Sequence, residues 1–292
     1  MVELLTPLVA AGHVVDVAVT AVAARQVIDG IRVRSFRDVD PASRYDVVIY
    51  NSGLPAAVLD TIRGMAGRKL MCQHSFQTTD MGLRFADSIW FPSNAALDAH
   101  DGVAGITANR YVSPPPIDPD RYRTTPGRKI SLCLSSPWKG GALVAHMARA
   151  MPRHQFLVVK DGRGNGVSLF RGLRNVELVD FLDPRDFYSR TRVQVFPSRS
   201  ETYGRVGVEG AISGIPLVAS LAPGIREAMH GTGSYLGVGN VRAWVRTVTR
   251  LMDDPRAWAA ASQDVQARGD VVMYREDQAA FVAQVEQLTV PA

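Results

Sequence analysis

Two glutamates, Glu201 and Glu209, flank a glycine turn in the run FPSRSETYGRVGVEGAISGIPLVASLAPGIRE, residues 196–227. The run reads as strand, sharp loop, helix, strand, loop. A helix opening near Gly204 would offer backbone N–H groups to an anion. Glu209, inside that helix, could accept bidentate hydrogen bonds from a ribose diol. Glu201 stands on the loop, where a sugar attached to the phosphate would lie. The arrangement suits a nucleotide sugar. Two plainer readings stay open: Glu201 as a first-turn partner of the helix dipole, and Glu209 as an i,i+4 partner of Arg205.

Two further loops carry chemistry. SSPWKGG (135–141) joins a strand to a helix and places Lys139 where the helix begins. Arg205 sits at a second helix start. Each cation opposes its helix dipole, at a cost of roughly 0.3–1 kcal/mol. Two such cations suggest one shared anion, which a nucleotide diphosphate would supply. A lysine pointing into water is the alternative for Lys139. The loop KDGRGNG (160–166) is rich in glycine, but alone it signals only a turn. Asp118 and Asp120 form a D-x-D within a proline-rich segment and read as turn chemistry. Cys72 and Cys133 lie in apolar strand-like segments and read as free thiols without a metal cluster.

The elements that must position these residues alternate. In the first half, 14–19, 31–36, 45–51, 68–73 and 88–92 read as strands, and 2–11, 54–65 and 94–100 as helices. SPPPIDPDRYRTTPGR (113–128) reads as an interdomain linker. Strands at 129–135, 154–160, 175–181, 192–198 and 216–220 then alternate with helices at 140–151, 185–191, 204–213, 240–252 and 256–268. A last helix near 275–288 has no strand partner and would cross back to the first half. The expected fold is α/β, with two doubly wound Rossmann-like domains facing a cleft. The expected boundaries are 1–125 on the acceptor side, 126–273 for nucleotide-sugar binding, and 274–292 for the terminal helix. No G-x-G-x-x-G follows the first strand, which argues against a dinucleotide cofactor.

Composition is that of a globular protein, 46% hydrophobic and 21% charged over 292 residues. The weakly polar stretch 7–24 alternates and reads as strand and loop rather than a membrane span. No leader pattern is seen, so the cytoplasm is the expected location. Net charge is +5, and only Lys69, Lys129, Lys139 and Lys160 among the 33 basic residues are lysines. The arginine excess reflects either coding bias or a surface that meets phosphates, acidic lipids or nucleic acid.

The 196–227 run resembles the carboxyl-terminal domain of the family 4 retaining glycosyltransferases of GT-B architecture. Their pattern is PS-x-x-E-x-[FY]-G-x-x-x-x-E-A-x-x-x-G-x-P-V-V-A, followed by G-G-x-x-E. This chain supplies Pro197, Ser198, Glu201, Tyr203, Gly204, Glu209, Gly210, Gly214, Pro216 and Val218, then Pro223, Gly224 and Glu227. WKGG resembles the family's phosphate loop, YVSPPPIDPDRY its interdomain segment, and GHVVDV the strand after its first helix.

The resemblance implies transfer of a sugar from a UDP- or GDP-linked donor to an acceptor hydroxyl, with retention of configuration and without metal or other cofactor. It assigns Lys139 to the donor diphosphate, Glu201 to the donor sugar and Glu209 to the ribose. Backbone around Thr202, Tyr203 and Gly204 would contact sugar and phosphate, with Arg205 or Arg163 in place of an arginine that the family carries ahead of its lysine. His74, in LMCQHSF, matches a histidine that faces the donor sugar; a turn histidine without a ligand is the alternative. Family members open with a strand and a glycine-rich loop, whereas this sequence reads as helix from VELLTPLVAAGH, so either the start is truncated or the first domain lacks its usual first strand and loop. The acceptor is unknown. The chain's basic charge admits a modified DNA base or another polyanion as acceptor, nucleic acid as a partner, and peripheral contact with a membrane surface. The rival functions are a non-catalytic sugar-nucleotide or nucleic-acid binder, and a sugar-nucleotide epimerase.

Overall fold

A computed structural model describes residues 2–20, 24–79 and 81–289. The chain divides into two compact units, 1–116 with 273–292, and 117–272.

Unit 1 starts with α1 (Val2–Ala10), then β1 (Asp16–Val19), β2 (Gln26–Ile28) and β3 (Ile31–Ser35). These strands make a small sheet in the order β1-β3-β2, with β1 and β3 parallel. There follow β4 (Arg44–Asn51), α2 (Ala56–Gly64), β5 (Ala66–Cys72), β6 (Ser88–Phe91), α3 (Asn94–Asp98) and β7 (Asn109–Val112). They form a second, wholly parallel sheet in the order β4-β5-β6-β7. Alternation along β5 sends Leu70 and Cys72 to one core and Met71 to the other. The core under Leu70 also takes Leu5 and Leu8 of α1, Ile31 of β3, and Phe281 and Val285 from the carboxyl-terminal segment. One apolar cluster thus joins the two sheets of this unit.

Unit 2 runs α4 (Pro119–Tyr122), β8 (Lys129–Leu132), α5 (Gly141–Ala150), β9 (Phe156–Val159), β10 (Val176–Val179), α6 (Pro184–Ser189) and β11 (Thr191–Phe196). It continues with α7 (Arg205–Ala211), β12 (Leu217–Ser220), α8 (Pro223–Ala228), β13 (Ser234–Leu236), α9 (Val241–Asp253) and α10 (Pro255–Gly269). Its parallel sheet has the order β10-β9-β8-β11-β12-β13. Val193 and Val195 face a core shared with Val144 and Met147 of α5 and Trp244 and Val248 of α9. Phe196, Leu217 and Ala219 face the other, with Val208 of α7, Ile225 of α8 and Val265 of α10. Apolar cover on both faces is what a buried parallel sheet requires. The last helix, α11 (Tyr274–Thr289), returns to pack on α1, β4 and β5 within unit 1.

Three details differ from the sequence reading. PGIRE, expected to be a loop, is the body of α8: Pro223 opens the helix, where its missing N–H costs nothing. Strands β2, β7 and β13 lie outside the expected runs; β2 and β13 have only three residues, and NRYV of β7 opens on two polar residues without alternation. The proline-rich segment is not a plain linker. Asp118 caps α4 by accepting from the Asp120 N–H, and Tyr122 is buried in the core of unit 2. Ser213 Oγ donates to the Tyr122 carbonyl at 3.1 Å and accepts the Thr124 N–H at 2.9 Å.

An ion triad ties the sheet of unit 2 at its amino-terminal end. Glu177 of β10 accepts from Lys129 of β8 and from Arg190, just after α6. The Arg190 and Lys129 hydrogen bonds hold its pKa below the ordinary value of 4.5. A carboxyl whose pKa is depressed by folding adds stability above about pH 4.5, and this is lost as pH falls through the folded value. Glu177→Gln is therefore expected to lower Tm at pH 7 and to show a smaller further drop on acidification to pH 3 than the parent. Parallel melting curves at the two pH values check this.

Candidate active site

The strand order of unit 2 reverses at one point. From β8 the chain moves outward to β9 and β10, then returns to the other side of β8 with β11. Loops leaving the carboxyl ends of two such neighbours diverge and leave a crevice. Residues 133–140 follow β8 and residues 197–204 follow β11, so both signature segments leave the sheet at the reversal.

The β8 loop is held in a costly shape. Leu134 has φ +77°, a left-handed conformation that costs a non-glycine residue roughly 1–2 kcal/mol. Ser135 Oγ donates to the Asn165 carbonyl at 2.7 Å and accepts the Asp161 N–H at 3.0 Å, stitching this loop to the 160–166 loop. Glycines make the contact close: a Cβ on Gly166 would stand 2.1 Å from the Ser135 carbonyl oxygen, and one on Gly140 2.3 Å from Pro197 Cγ. Gly140 itself has φ +87°. The Arg199 N–H donates to the Trp138 carbonyl at 3.2 Å, joining the β8 and β11 loops.

Within this frame Lys139 Nζ donates to Glu201 Oε1. Lys139 ends a 3₁₀ turn and α5 begins two residues later, after left-handed Gly140. On the first turn of α7, Arg205 Nε donates to Glu209 Oε1 at 2.7 Å, the i,i+4 pairing left open above. Both cations at helix starts thus have their own carboxylates, where the sequence suggested one shared anion. The carboxylate side chains are deeply placed, 12% exposed for Glu201 and 11% for Glu209, against 30% and 31% for Lys139 and Arg205. Cations with an open side beside enclosed carboxylates can exchange a glutamate for a ligand phosphate while the glutamate stays in place.

Tyr203 and Gly204 serve structurally through their side-chain positions. The Tyr203 ring lies in the core, and its hydroxyl accepts from buried Arg268 at 3.3 Å. Gly204 has φ +91°, and a Cβ there would meet Ile225 Cδ1 at 2.5 Å. Only the backbone of these two residues, with half-buried Thr202, is left to face a ligand.

Three further residues join the site, and of these only Tyr122 falls within a family-like segment, YVSPPPIDPDRY. Tyr188 of α6 donates its hydroxyl to Glu209 Oε2 at 2.8 Å. Tyr122 accepts from Arg205 Nη2 at 2.7 Å. Cys133 lies in the field of Glu209, Lys139 and Glu201, and burial with the Glu209 charge pushes its thiol up to about 12. A thiol so protonated is a poor nucleophile, so alkylation of Cys133 by iodoacetamide is expected to stay slow up to pH 9. Mass mapping of the labelled native protein checks this, with the denatured chain as the fast reference.

His74 lies in unit 1, just beyond β5, and is described there alone. Its N–H donates to Ser52 Oγ at 3.0 Å, and its ring meets Trp90 edge-on at 5.3 Å. Loss of hydration against this wall lowers its pKa from 6.5. The imidazole is therefore neutral at pH 7. Preceding it, buried Gln73 donates to His100 Nε2 at 2.8 Å, while His100 Nδ1 serves the Ala96 carbonyl, which fixes the turn that carries His74. Among the described residues no group of three or more His, Cys, Asp or Glu side chains is placed to hold a metal ion.

Residues 135–254 match the family described as glycosyl transferases group 1. The match lies within unit 2 and includes Lys139, Glu201 and Glu209. Similar curated proteins are D-inositol 3-phosphate glycosyltransferases. That of Thermobispora bispora is 35% identical over 79 residues, 26% of this chain and 18% of the relative. That of Thermomonospora curvata is 30% identical over 134 residues, 40% of this chain and 31% of the relative. The chain thus matches less than a third of the length of either.

Solved structures extend the likeness in fold to the whole chain. Sucrose-phosphate synthase from Thermosynechococcus elongatus superimposes with a TM-score of 0.77 at 18% identity, covering 98% of this chain and 90% of that one. A glycosyltransferase from Rickettsia africae gives 0.71 at 13% identity, covering 100% and 94%. Anabaena HepE, solved in complex with UDP and glucose, gives 0.68 at 20% identity, covering 83% and 77%. The α/β fold is that of GT-B glycosyltransferases.

Proposed function

We propose that the protein transfers a sugar from a nucleotide diphosphate sugar to an acceptor hydroxyl, with retention of configuration and without a metal ion. The observation that carries the reading is the pairing of Lys139 with Glu201 at the strand reversal of a group 1 domain. In this reading the donor diphosphate takes Lys139 from Glu201. The released carboxylate then faces the transferred sugar, and Glu209 holds the ribose. Lys139 offsets charge on the leaving phosphate, the type of electrostatic support worth about 2.7–4 kcal/mol per donor where it has been measured.

The reaction breaks the bond between the anomeric carbon and the phosphate oxygen. It forms one to the acceptor oxygen on the same face, and the acceptor proton passes to the leaving phosphate.

We assign the donor to the UDP or GDP class, in line with the UDP complex of Anabaena HepE. A polyanionic acceptor accords with the net charge of +5 and with relatives named for a phosphorylated cyclitol. A thermal-shift screen of UDP- and GDP-sugars tests the donor. At 100 times its Kd the right nucleotide should add roughly 2.7 kcal/mol. The gain should persist in EDTA, and NMR of a product should show the donor's anomeric configuration. Absence of any shift across both series, or an inverted product, would overturn this reading.

A further inference from the structure

We propose that Tyr188 is a positioning residue for nucleotide recognition, setting the carboxylate of Glu209 so that it distinguishes a ribose from a deoxyribose. The inference rests on the assignment of Glu209 to the ribose. Tyr188 is almost wholly buried, at 1% exposure, yet it ends in a hydroxyl. That hydroxyl has one proton and two acceptors in reach, Glu209 Oε2 at 2.8 Å and the Val206 carbonyl at 3.0 Å. The Val206 carbonyl also receives Gln194 Nε2 at 3.1 Å, so it is satisfied without the tyrosine. A carboxylate is the stronger acceptor, and the proton goes to Glu209. Burial, followed by the adjacent carboxylate charge, raises the phenol pKa well above 10, which keeps it a donor.

Arg205 holds the opposite oxygen, Oε1. Each oxygen of Glu209 therefore has one fixed donor, and a carboxylate oxygen has room for a second. The plane of the carboxylate is fixed from both sides, leaving one acceptor direction per oxygen. This is the geometry that two adjacent hydroxyls can satisfy and a single hydroxyl cannot. The tyrosine is itself held in place. Its ring meets Phe187 at 5.2 Å and Tyr122 at 6.3 Å, both edge-on, and Tyr122 in turn accepts from Arg205. A Cβ at Gly210 would stand 3.4 Å from Tyr188 Cε1, in ordinary contact, so α7 packs directly on the ring.

The test is equilibrium titration of the full chain with UDP and GDP, each against its 2′-deoxy counterpart, in the parent, Tyr188→Phe and Glu209→Gln proteins. The parent should prefer the ribonucleotide about tenfold or more. Tyr188→Phe keeps the ring and its packing. It should reduce that preference several-fold while binding the deoxynucleotide within about twofold of the parent. A general structural defect would weaken both ligands alike and leave the ratio unchanged, and that result overturns the proposal. Should Tyr188→Phe not fold, Tyr122→Phe, which frees Arg205 on the other side of the same carboxylate, must erode the ratio; an unaltered ratio there overturns the two-sided geometry. If Glu209→Gln keeps the parent's preference, the ribose assignment itself fails and the proposal falls with it. If Glu209→Gln abolishes the preference and Tyr188→Phe does not, Glu209 is right and the role of Tyr188 is wrong.

Discussion

Glu201→Ala is expected to lower kcat more than about 100-fold while leaving nucleotide binding intact or tighter. The two effects have one cause. Glu201 is the hydrogen-bond partner of Lys139. Removing it frees a half-buried ammonium for a diphosphate, so the Kd for UDP or GDP should hold or fall. The same substitution strips the carboxylate from the place the transferred sugar would occupy, and turnover should collapse. Single-turnover kinetics beside titration calorimetry separate these terms. Turnover near that of the parent would remove Glu201 from the chemistry. A Kd that rises in step with the loss of kcat would mean that the residue is only a loop support.

Gly224→Ala is expected to damage the same site from behind. Its new Cβ would stand 2.1 Å from the Glu201 carbonyl oxygen and 2.6 Å from the Thr202 carbonyl carbon and oxygen. These are backbone atoms, which cannot rotate away as a side-chain tip can. Either α8 or the Glu201–Gly204 loop must shift. Overpacking of this kind costs typically 1–3 kcal/mol. In a chain of this size each kcal/mol corresponds to about 2–4 °C in Tm. A fall of roughly 5 °C with activity reduced at least tenfold is the expected outcome. Calorimetry and a donor-turnover assay at a temperature where the variant is fully folded check it. An unchanged Tm would mean that α8 and the loop are not in the contact described.

The sequence made the alternation of strands and helices legible because both sheet faces are apolar and the connections are short. Strands β4, β5, β8, β9 and β11 overlap their expected runs. Glu209 against Arg205 was legible too, since i,i+4 neighbours on a helix meet whatever surrounds them. The pairing of Lys139 with Glu201 was not, because it spans 62 residues and is made by strand order rather than local spacing. In the structure Lys139 and Arg205 each have a carboxylate of their own, Glu201 brought by strand order and Glu209 by helix spacing. Tyr188 was hidden differently. PRDFYS gives a short helix with two aromatic residues, and nothing in that pattern tells a tyrosine with a plain core role from one whose hydroxyl ends on the Glu209 carboxylate. The 223–228 segment reads as a loop in the sequence, yet its proline is at a position favoured in a helix's first turn.

In the proposed function, the loops that leave β8 and β11 of unit 2 hold a nucleotide diphosphate through Lys139. Titration calorimetry of UDP and GDP against the parent and Lys139→Ala proteins tests it most directly. The parent should bind one of the two, and Lys139→Ala, with its fold intact by melting curve, should bind it at least tenfold more weakly. Equal affinity in the two proteins would contradict it.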